Sequence, residues 1–360
     1  MKNNFKCPEF FLGANTPSGF FSLFDQLYYP DNGWFCHILK GGPGTGKSTL
    51  MKKVAEKSCK KKIPLEIIRC SSDPKSLDAV ILTAHKKCIV DGTAPHVIDP
   101  KYPGISDEII NLGTYWDTKK LKSHETEIVK LCQENAAYHA TSKKYLSAYG
   151  CAYDSTSRII SDSLNYEKLN GFCKRFAKKI IKKSTLERPS EKLRFISSVT
   201  PDGYVFLEKT LPQLCNKIYI IDDKYSIIGS FILEFLREHA LDLNHEILTC
   251  PSPFAPEKHL QALFVKDLKI GIVVQNKNLF QLSMSNPGIE YKKINAQRFN
   301  QKNNFKNLIN FNTKIQKEFL KEAVYNLTLA RNVHDKIEAL YSNAMNYTQV
   351  NKITQKLESF

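Results

Sequence analysis

Trp34-Phe35-Cys36-His37-Ile38-Leu39, then Lys40, then Gly41-Gly42-Pro43-Gly44-Thr45-Gly46-Lys47-Ser48-Thr49, then the stretch from Leu50 to about Lys61, is the run on which the fold turns. Its first six residues read as a short apolar strand. Its last stretch sets Leu50, Met51, Val54 and Ala55 against Lys52, Lys53, Glu56 and Lys57, the spacing of an amphipathic helix. Between them lies G-x-x-x-x-G-K-[ST]. Glycines in that pattern let successive backbone N–H groups curl around a phosphate, and the helix N-terminus adds partial positive charge. On this reading Gly41 to Thr49 form a phosphate-binding loop, Lys47 reaches the β- and γ-phosphates and Ser48 coordinates magnesium.

Working outward, Leu65-Glu66-Ile67-Ile68-Arg69-Cys70 is a second strand closed by Ser71-Ser72-Asp73-Pro74, and Cys88-Ile89-Val90 a third that ends in Asp91-Gly92-Thr93. An acid at the carboxyl end of a buried strand is where a phosphate loop's metal finds its second oxygen ligand, so Asp91 is the candidate partner of Ser48. Read without the loop, Asp91-Gly92 is an ordinary turn. Asp73, Asp78, His96 and Asp99 fall on the connections leaving these strands, which in an open sheet converge on the ligand crevice. Asp73 or His96 is the candidate substrate contact or general base, although Asp73-Pro74 equally reads as a turn and a lone His as scaffolding.

The pattern recurs. Phe11, Thr16-Pro17-Ser18-Gly19-Phe20 returns as Phe195, Thr200-Pro201-Asp202-Gly203-Tyr204, and Glu66-Ile67-Ile68-Arg69-Cys70 as Glu246-Ile247-Leu248-Thr249-Cys250. Between those anchors Lys217 to Ile221 reads as a strand and Ser230 to His239 as a helix, but the loop joining them is Asp222-Asp223-Lys224-Tyr225-Ser226-Ile227-Ile228-Gly229. It has no Gly-Lys pair, and its two carboxylates repel a phosphate. Ile270 to Val274 is a buried strand ending in Gln275, where the first copy offers Asp91. Two unrelated α/β units with chance matches remain the alternative.

The expected fold class is α/β, a P-loop NTPase with a parallel-sheet domain duplicated in tandem and helical additions. The units are 1–112 with the nucleotide site, a helical region 113–190, a degenerate copy 191–295, and a helical region 296–360. Leu186-Glu187-Arg188-Pro189-Ser190 marks the break between halves. Within 172–183, Lys174, Arg175, Lys178, Lys179, Lys182 and Lys183 share one helical face and Phe172, Phe176, Ile180 and Ile181 another. That describes a docked helix with solvated lysines, or a basic helix for a nucleic-acid or protein partner.

Composition narrows the class. With 360 residues, 42% hydrophobic, 24% charged and only 16 Gly and 16 Pro, the chain is neither collagen-like, nor disordered, nor a small disulfide scaffold. Its +16 net charge suits an anionic partner, but eight of the 52 basic residues are Arg, and dispersed Lys is more often a solvated coat. Ten cysteines without a C-x-x-C pair read as reduced core residues, and no run has signal-peptide or membrane-span character, so a cytoplasmic protein is expected.

At 40–49, at Cys70-Ser71-Ser72-Asp73-Pro74-Lys75-Ser76-Leu77-Asp78 and at Asp91-Gly92-Thr93-Ala94-Pro95-His96-Val97-Ile98-Asp99-Pro100, the chain resembles a little-characterised family of bacterial tandem P-loop ATPases. The resemblance runs over nearly the whole length. It implies an ATP site at Gly42 to Thr49 with Asp91 as the acid, and it names no substrate. The second half departs from the family pattern by lacking an intact loop. The function expected is Mg-ATP binding and hydrolysis, with Lys47 and Asp91 at the chemistry. A small-molecule or nucleotide kinase and a non-catalytic ATP-gated interaction module are the alternatives. No Asn-Lys-x-Asp guanine-reading sequence follows the loop, which favours ATP. The sequence nominates no internal arginine finger: Arg69 sits late in its strand with its direction open, and a neighbouring subunit or partner is the alternative source of the cation.

Overall fold

The computed structural model describes residues 7–28, 32–301 and 304–358; the opening residues read above for a signal segment lie outside them. In the first half the elements are β1 (Glu9–Phe10), β2 (Gly13–Thr16), β3 (Gly19–Ser22), β4 (Phe35–Lys40), α1 (Lys47–Lys60), β5 (Leu65–Arg69), β6 (Leu77–Leu82), β7 (Lys87–Asp91), β8 (Asp107–Asn111), α2 (Thr118–Ser123), α3 (Glu125–Asp162) and α4 (Tyr166–Ile180). The second half holds β9 (Ser190–Leu193), β10 (Ser197–Thr200), β11 (Gly203–Phe206), α5 (Leu211–Leu214), β12 (Lys217–Asp222), α6 (Ile228–Asp242), β13 (Glu246–Pro251), β14 (Leu260–Val265), β15 (Ile270–Gln275), β16 (Glu290–Asn295), α7 (Lys306–Asn343) and α8 (Tyr347–Leu357). The architecture is α/β. No helix among the described residues is long and apolar enough to cross a membrane.

Two six-stranded sheets carry the halves, ordered β1-β5-β6-β7-β4-β8 and β9-β13-β14-β15-β12-β16. Position by position they share one strand order and one pattern of directions. The sheets are mixed, which corrects the expectation of a parallel sheet: β6 and β14 run antiparallel to both neighbours. β6 was missed in the sequence because Asp73, Pro74 and Asp78 look like loop. Yet Leu77–Leu82 is buried throughout, and a strand covered on both faces shows an unbroken apolar run instead of alternation. Each fully buried Leu, Ile or Val in such a strand contributes about 1.5–3 kcal/mol.

The halves meet through the small sheet β11-β10-β2-β3. There the residues matched as repeats touch each other: Phe11 and Phe195 exchange backbone hydrogen bonds of 2.8 and 2.9 Å, and Asn15 lies opposite Val199. Self-pairing of equivalent residues is what a two-fold axis imposes. Across the top, α3 and α7, 38 residues each, pack antiparallel, pinned by Asn135 Nδ2 to Ala330 O at 2.7 Å and Ser142 Oγ to Ala323 O at 3.0 Å.

Beyond these long helices the chain crosses over. Helix α4, from the first half, buries Leu169, Cys173, Phe176 and Ala177 against α6 and the second sheet, while α8, from the second half, lays Ile353 and Leu357 on α1. The turns that make the crossing are reciprocal. Asp117 N and Asn346 N donate to Ala344 O and Tyr115 O, and Gln301 N and Asn165 N donate to Ser163 O and Phe299 O. Lys174, Arg175, Lys178 and Lys179 of α4 are exposed over this docked apolar face, and Lys182 and Lys183 are exposed just past its end, since the helix stops at Ile180 and does not run on to 183.

Candidate phosphate-binding cavity

Lys40 ends β4 and Lys47 begins α1, so the loop 41–46 must reverse the chain in a few residues. Gly41, Gly44 and Gly46 do so at φ of 138°, 70° and 89°, the left-handed region that side chains disfavour. Inside the turn Thr45 Oγ1 donates to Gly42 O at 3.0 Å, and Lys47 Nζ donates to Gly41 O and Gly42 O at 2.6 and 2.8 Å. The ammonium therefore folds back over its own loop. Its charge partner is Asp91 at the end of β7, whose Oδ2 lies 3.6 Å away and whose Oδ1 accepts from Thr93 N and Oγ1. Ser48 Oγ, one residue into the helix, accepts from Leu77 N at 3.1 Å.

These groups form the floor of a cavity of about 600 Å³. Its walls are Asp73, Asp78 and Cys70 from the strand ends, and its roof comes from α3 (Asn135, His139, Lys143) and α7 (Arg331, His334, Asp335, Glu338). Helix α7 also presses on the loop itself. A Cβ on Gly44 would lie 2.6 Å from Glu338 O and 2.8 Å from Ser342 N, and Tyr347 Oη donates to Gly44 O at 2.6 Å. Both partners belong to the second half.

The other sequence candidates divide. Asp73 lines the cavity, but its carboxylate caps its own turn, accepting from Lys75 N and from Ser76 Oγ at 2.6 Å. Asp78 sits on β6, not on a connection as expected, and is buried; burial and the neighbouring Asp91 push its carboxyl up to about 8. His96 is not among the lining residues: it is buried behind Asp78, Nε2 3.5 Å from Asp78 Oδ1, with its ring 4.4 Å from that of Phe24. Burial lowers its pKa, and neither ring nitrogen has a hydrogen-bond partner among the described residues. Asp99 is exposed and drawn to Lys40, whose Nζ also donates to Gly92 O and Ile98 O. Arg69 points away, both arms taken by Glu9 at 3.0 and 2.8 Å.

The kinase alternative expects the helices after Asp117 to act as a lid, but the individual roof residues were not read from the sequence. His139, Lys143, Arg331, His334, Asp335 and Glu338 lie on long helices whose spacing shows a helix but not its neighbour. His334, Asp335 and Glu338 bring ligand atoms within 4.8 Å of one another, and burial and the neighbouring His334 lower the pKa of His139.

The corresponding region of the second half is filled from within. Ser226 stands at φ 62° where Gly44 has 70°, and Ser230 Oγ accepts from Leu260 N at 2.8 Å as Ser48 accepts from Leu77. The fully buried Asp223 turns its carboxylate into this loop, accepting from Tyr225 N at 3.0 Å, Gly229 N at 2.8 Å and Gln297 Nε2 at 3.2 Å. Burial raises its pKa although the amides pull the other way. The residue in register with Asp91 is Val274, not Gln275: Asp91 pairs with Leu39, and Val274 with Ile221 one residue before the loop strand ends. Above this loop Tyr149 and Tyr204 stack on Phe254 at 4.3 and 5.7 Å, leaving a void of about 10 Å³.

What the open cavity offers is a ring of loop amides and a lysine for an anion, and hard oxygen donors from Ser48 and Asp91 suited to a magnesium-like cation. Comparison of the chain with protein-family models, with curated proteins and with solved structures gives no match.

Proposed function

We propose that the chain is a P-loop nucleoside triphosphatase, built as a tandem duplication, that binds and hydrolyses Mg-ATP at 41–49 and keeps its second half as a pseudo-NTPase. The observation that carries this is the loop itself: three left-handed glycines, with Lys47 3.6 Å from Asp91, on the floor of the cavity. The duplication draws support from the shared strand order and the self-paired Phe11 and Phe195. The tandem ATPase family that the sequence resembles agrees with both. Ten cysteines with no disulfide among the described residues suit a cytoplasmic protein.

In this reading the loop amides cradle the β-phosphate, and Lys47 leaves the carbonyls of Gly41 and Gly42 for the phosphate oxygens. Ser48 and Asp91 would hold magnesium, which would neutralise charge on the phosphates. Water adds to the terminal phosphorus, the bond to the bridging oxygen breaks, and the diphosphate leaves with orthophosphate. Asp73, which lines the cavity, is the carboxylate that would orient the nucleophile; His96 lies behind Asp78, outside the cavity lining. ATP is the nucleotide favoured by the missing guanine-reading sequence.

A kinase is the second reading, and the cavity roof favours it: 600 Å³ closed by α3 and α7 leaves space for an acceptor beside a triphosphate. The test is phosphate release from Mg-ATP, with a Lys47→Ala control, alone and with added metabolites or nucleic acid. Release that vanishes in the Lys47 variant is expected. Stimulation by a metabolite selects the kinase, and tight ATP binding without turnover selects an ATP-gated module. A chain that binds no nucleotide overturns the reading.

A further inference from the structure

Arg331 lines the same cavity as Lys47, Ser48 and Asp91, and it is the one arginine among the lining residues. The other arginine that the sequence places near the loop strands, Arg69, is held by Glu9. Arg331 is held by one arm: Nη1 donates to Asp202 Oδ1 at 2.8 Å, and no other hydrogen bond of its guanidinium occurs among the described residues. Asp202 is 42% exposed, so this pair is screened by solvent and is exchanged at small cost.

The helix beneath it is fixed. Thr328 Oγ1 donates to Pro201 O at 2.9 Å and Ala330 O accepts from Asn135, so the helix just before Arg331 is tied to the β10–β11 turn and to α3. Only the side chain has to move. Asp73 and Asp335 add negative potential around the guanidinium, and Asp202, Asp73 and Asp335 together raise its pKa. A planar fork with donors to spare, lining the same cavity as a glycine loop suited to phosphate, matches phosphate oxygens better than a lysine does.

We propose that Arg331, supplied by the second half, is the cation that closes on the terminal phosphate of the nucleotide held by the first half. This rests on the triphosphatase reading and deepens it. Arg331 forms and breaks no covalent bond; it leaves Asp202 and stabilises charge on the terminal phosphoryl oxygens while water replaces the bridging oxygen. The second half, whose own loop is filled by Asp223, thereby has a part in the reaction, and turnover depends on α7 keeping its place on the loop.

The experiment compares full-length wild type with Arg331→Ala, Arg331→Lys, Asp202→Asn and Lys47→Ala, measuring ATP and ADP affinity by calorimetry beside phosphate release. Arg331→Ala is expected to bind ADP as wild type does, to lose the preference for ATP, and to slow release roughly a hundredfold or more. Arg331→Lys restores only part of this. Asp202→Asn, which leaves Arg331 in place but frees it, raises ATP affinity with ADP affinity unchanged, and it guards against misfolding of the Arg331 variants. Wild-type turnover and ATP preference in Arg331→Ala, with both abolished by Lys47→Ala, would overturn the role of Arg331 and leave the loop reading standing. Weakened ATP binding in Asp202→Asn counts against it in the same way. Wild-type protein that binds no ATP sinks both.

Discussion

Gly44→Ala tests whether the second half really sits on the glycine loop at 41–46. The residue has φ of 70°, and its added methyl would meet Glu338 O at 2.6 Å, Ser342 Oγ at 2.7 Å and Ser342 N at 2.8 Å. Two of these three atoms are helix backbone, which cannot swing aside. Gly104 is the matched control, since its φ of 77° is nearly the same but nothing lies within 4 Å of its Cβ position. Both variants incur the left-handed penalty of about 1–2 kcal/mol, reduced by the entropy that alanine removes from the unfolded chain, about 0.4–1 kcal/mol. Only Gly44→Ala adds the cost of forcing α7 off the loop, about 1–3 kcal/mol for overpacking. Urea unfolding of the two variants should therefore separate them by at least about 1 kcal/mol, and the looser helix should admit protease near Glu338. Equal destabilisation would refute the contact, and with it the route by which Arg331 reaches the site.

Two further outcomes follow from buried carboxylates. Asp78 is pushed up to about 8 from an ordinary value near 3.8, so the folded state binds the extra proton; the stability this gives is complete below the unfolded value and is lost as pH rises through the folded one. Nucleotide-free Asp78→Asn should thus gain on wild type in urea unfolding between about pH 4 and pH 8, with the gap level above that, and a pH-independent gap would contradict the assignment. Asp223→Ala orphans the N–H groups of Tyr225 and Gly229, at about 1–3 kcal/mol for each buried donor left unmade. The variant should melt lower than wild type and recover part of the loss in inorganic phosphate; no phosphate effect would show that the second loop holds no usable anion nest.

Local chemistry was legible in the sequence, and distance was not. The strand, loop and helix around Lys47 were readable because glycine spacing and helical period are properties of neighbouring residues, and Asp91 because a strand-ending acid is too. Leu77–Leu82 escaped because a strand buried on both faces does not alternate, and the acid within it, Asp78, suggested a surface turn. Pairing Asp91 with Gln275 slipped by one, since two strands of similar composition fix no register until their partners are known. Arg331 lies far along the chain from the loop it faces, and nothing in its own helix records that neighbour. The filled second loop was half visible: loss of Gly-Lys was plain, but Asp223 accepting amide hydrogens looked from sequence like simple repulsion.

The crossing of the terminal helices also sets a schedule for synthesis. Gly44 and the tyrosine that holds its carbonyl are 303 residues apart. At about 5–20 residues per second the ribosome takes roughly 15–60 seconds to pass from one to the other. Throughout that interval the nascent glycine loop lacks both the α7 backbone that packs on Gly44 and the Tyr347 hydroxyl that holds its carbonyl, so its native packing forms only once α7 and α8 are made.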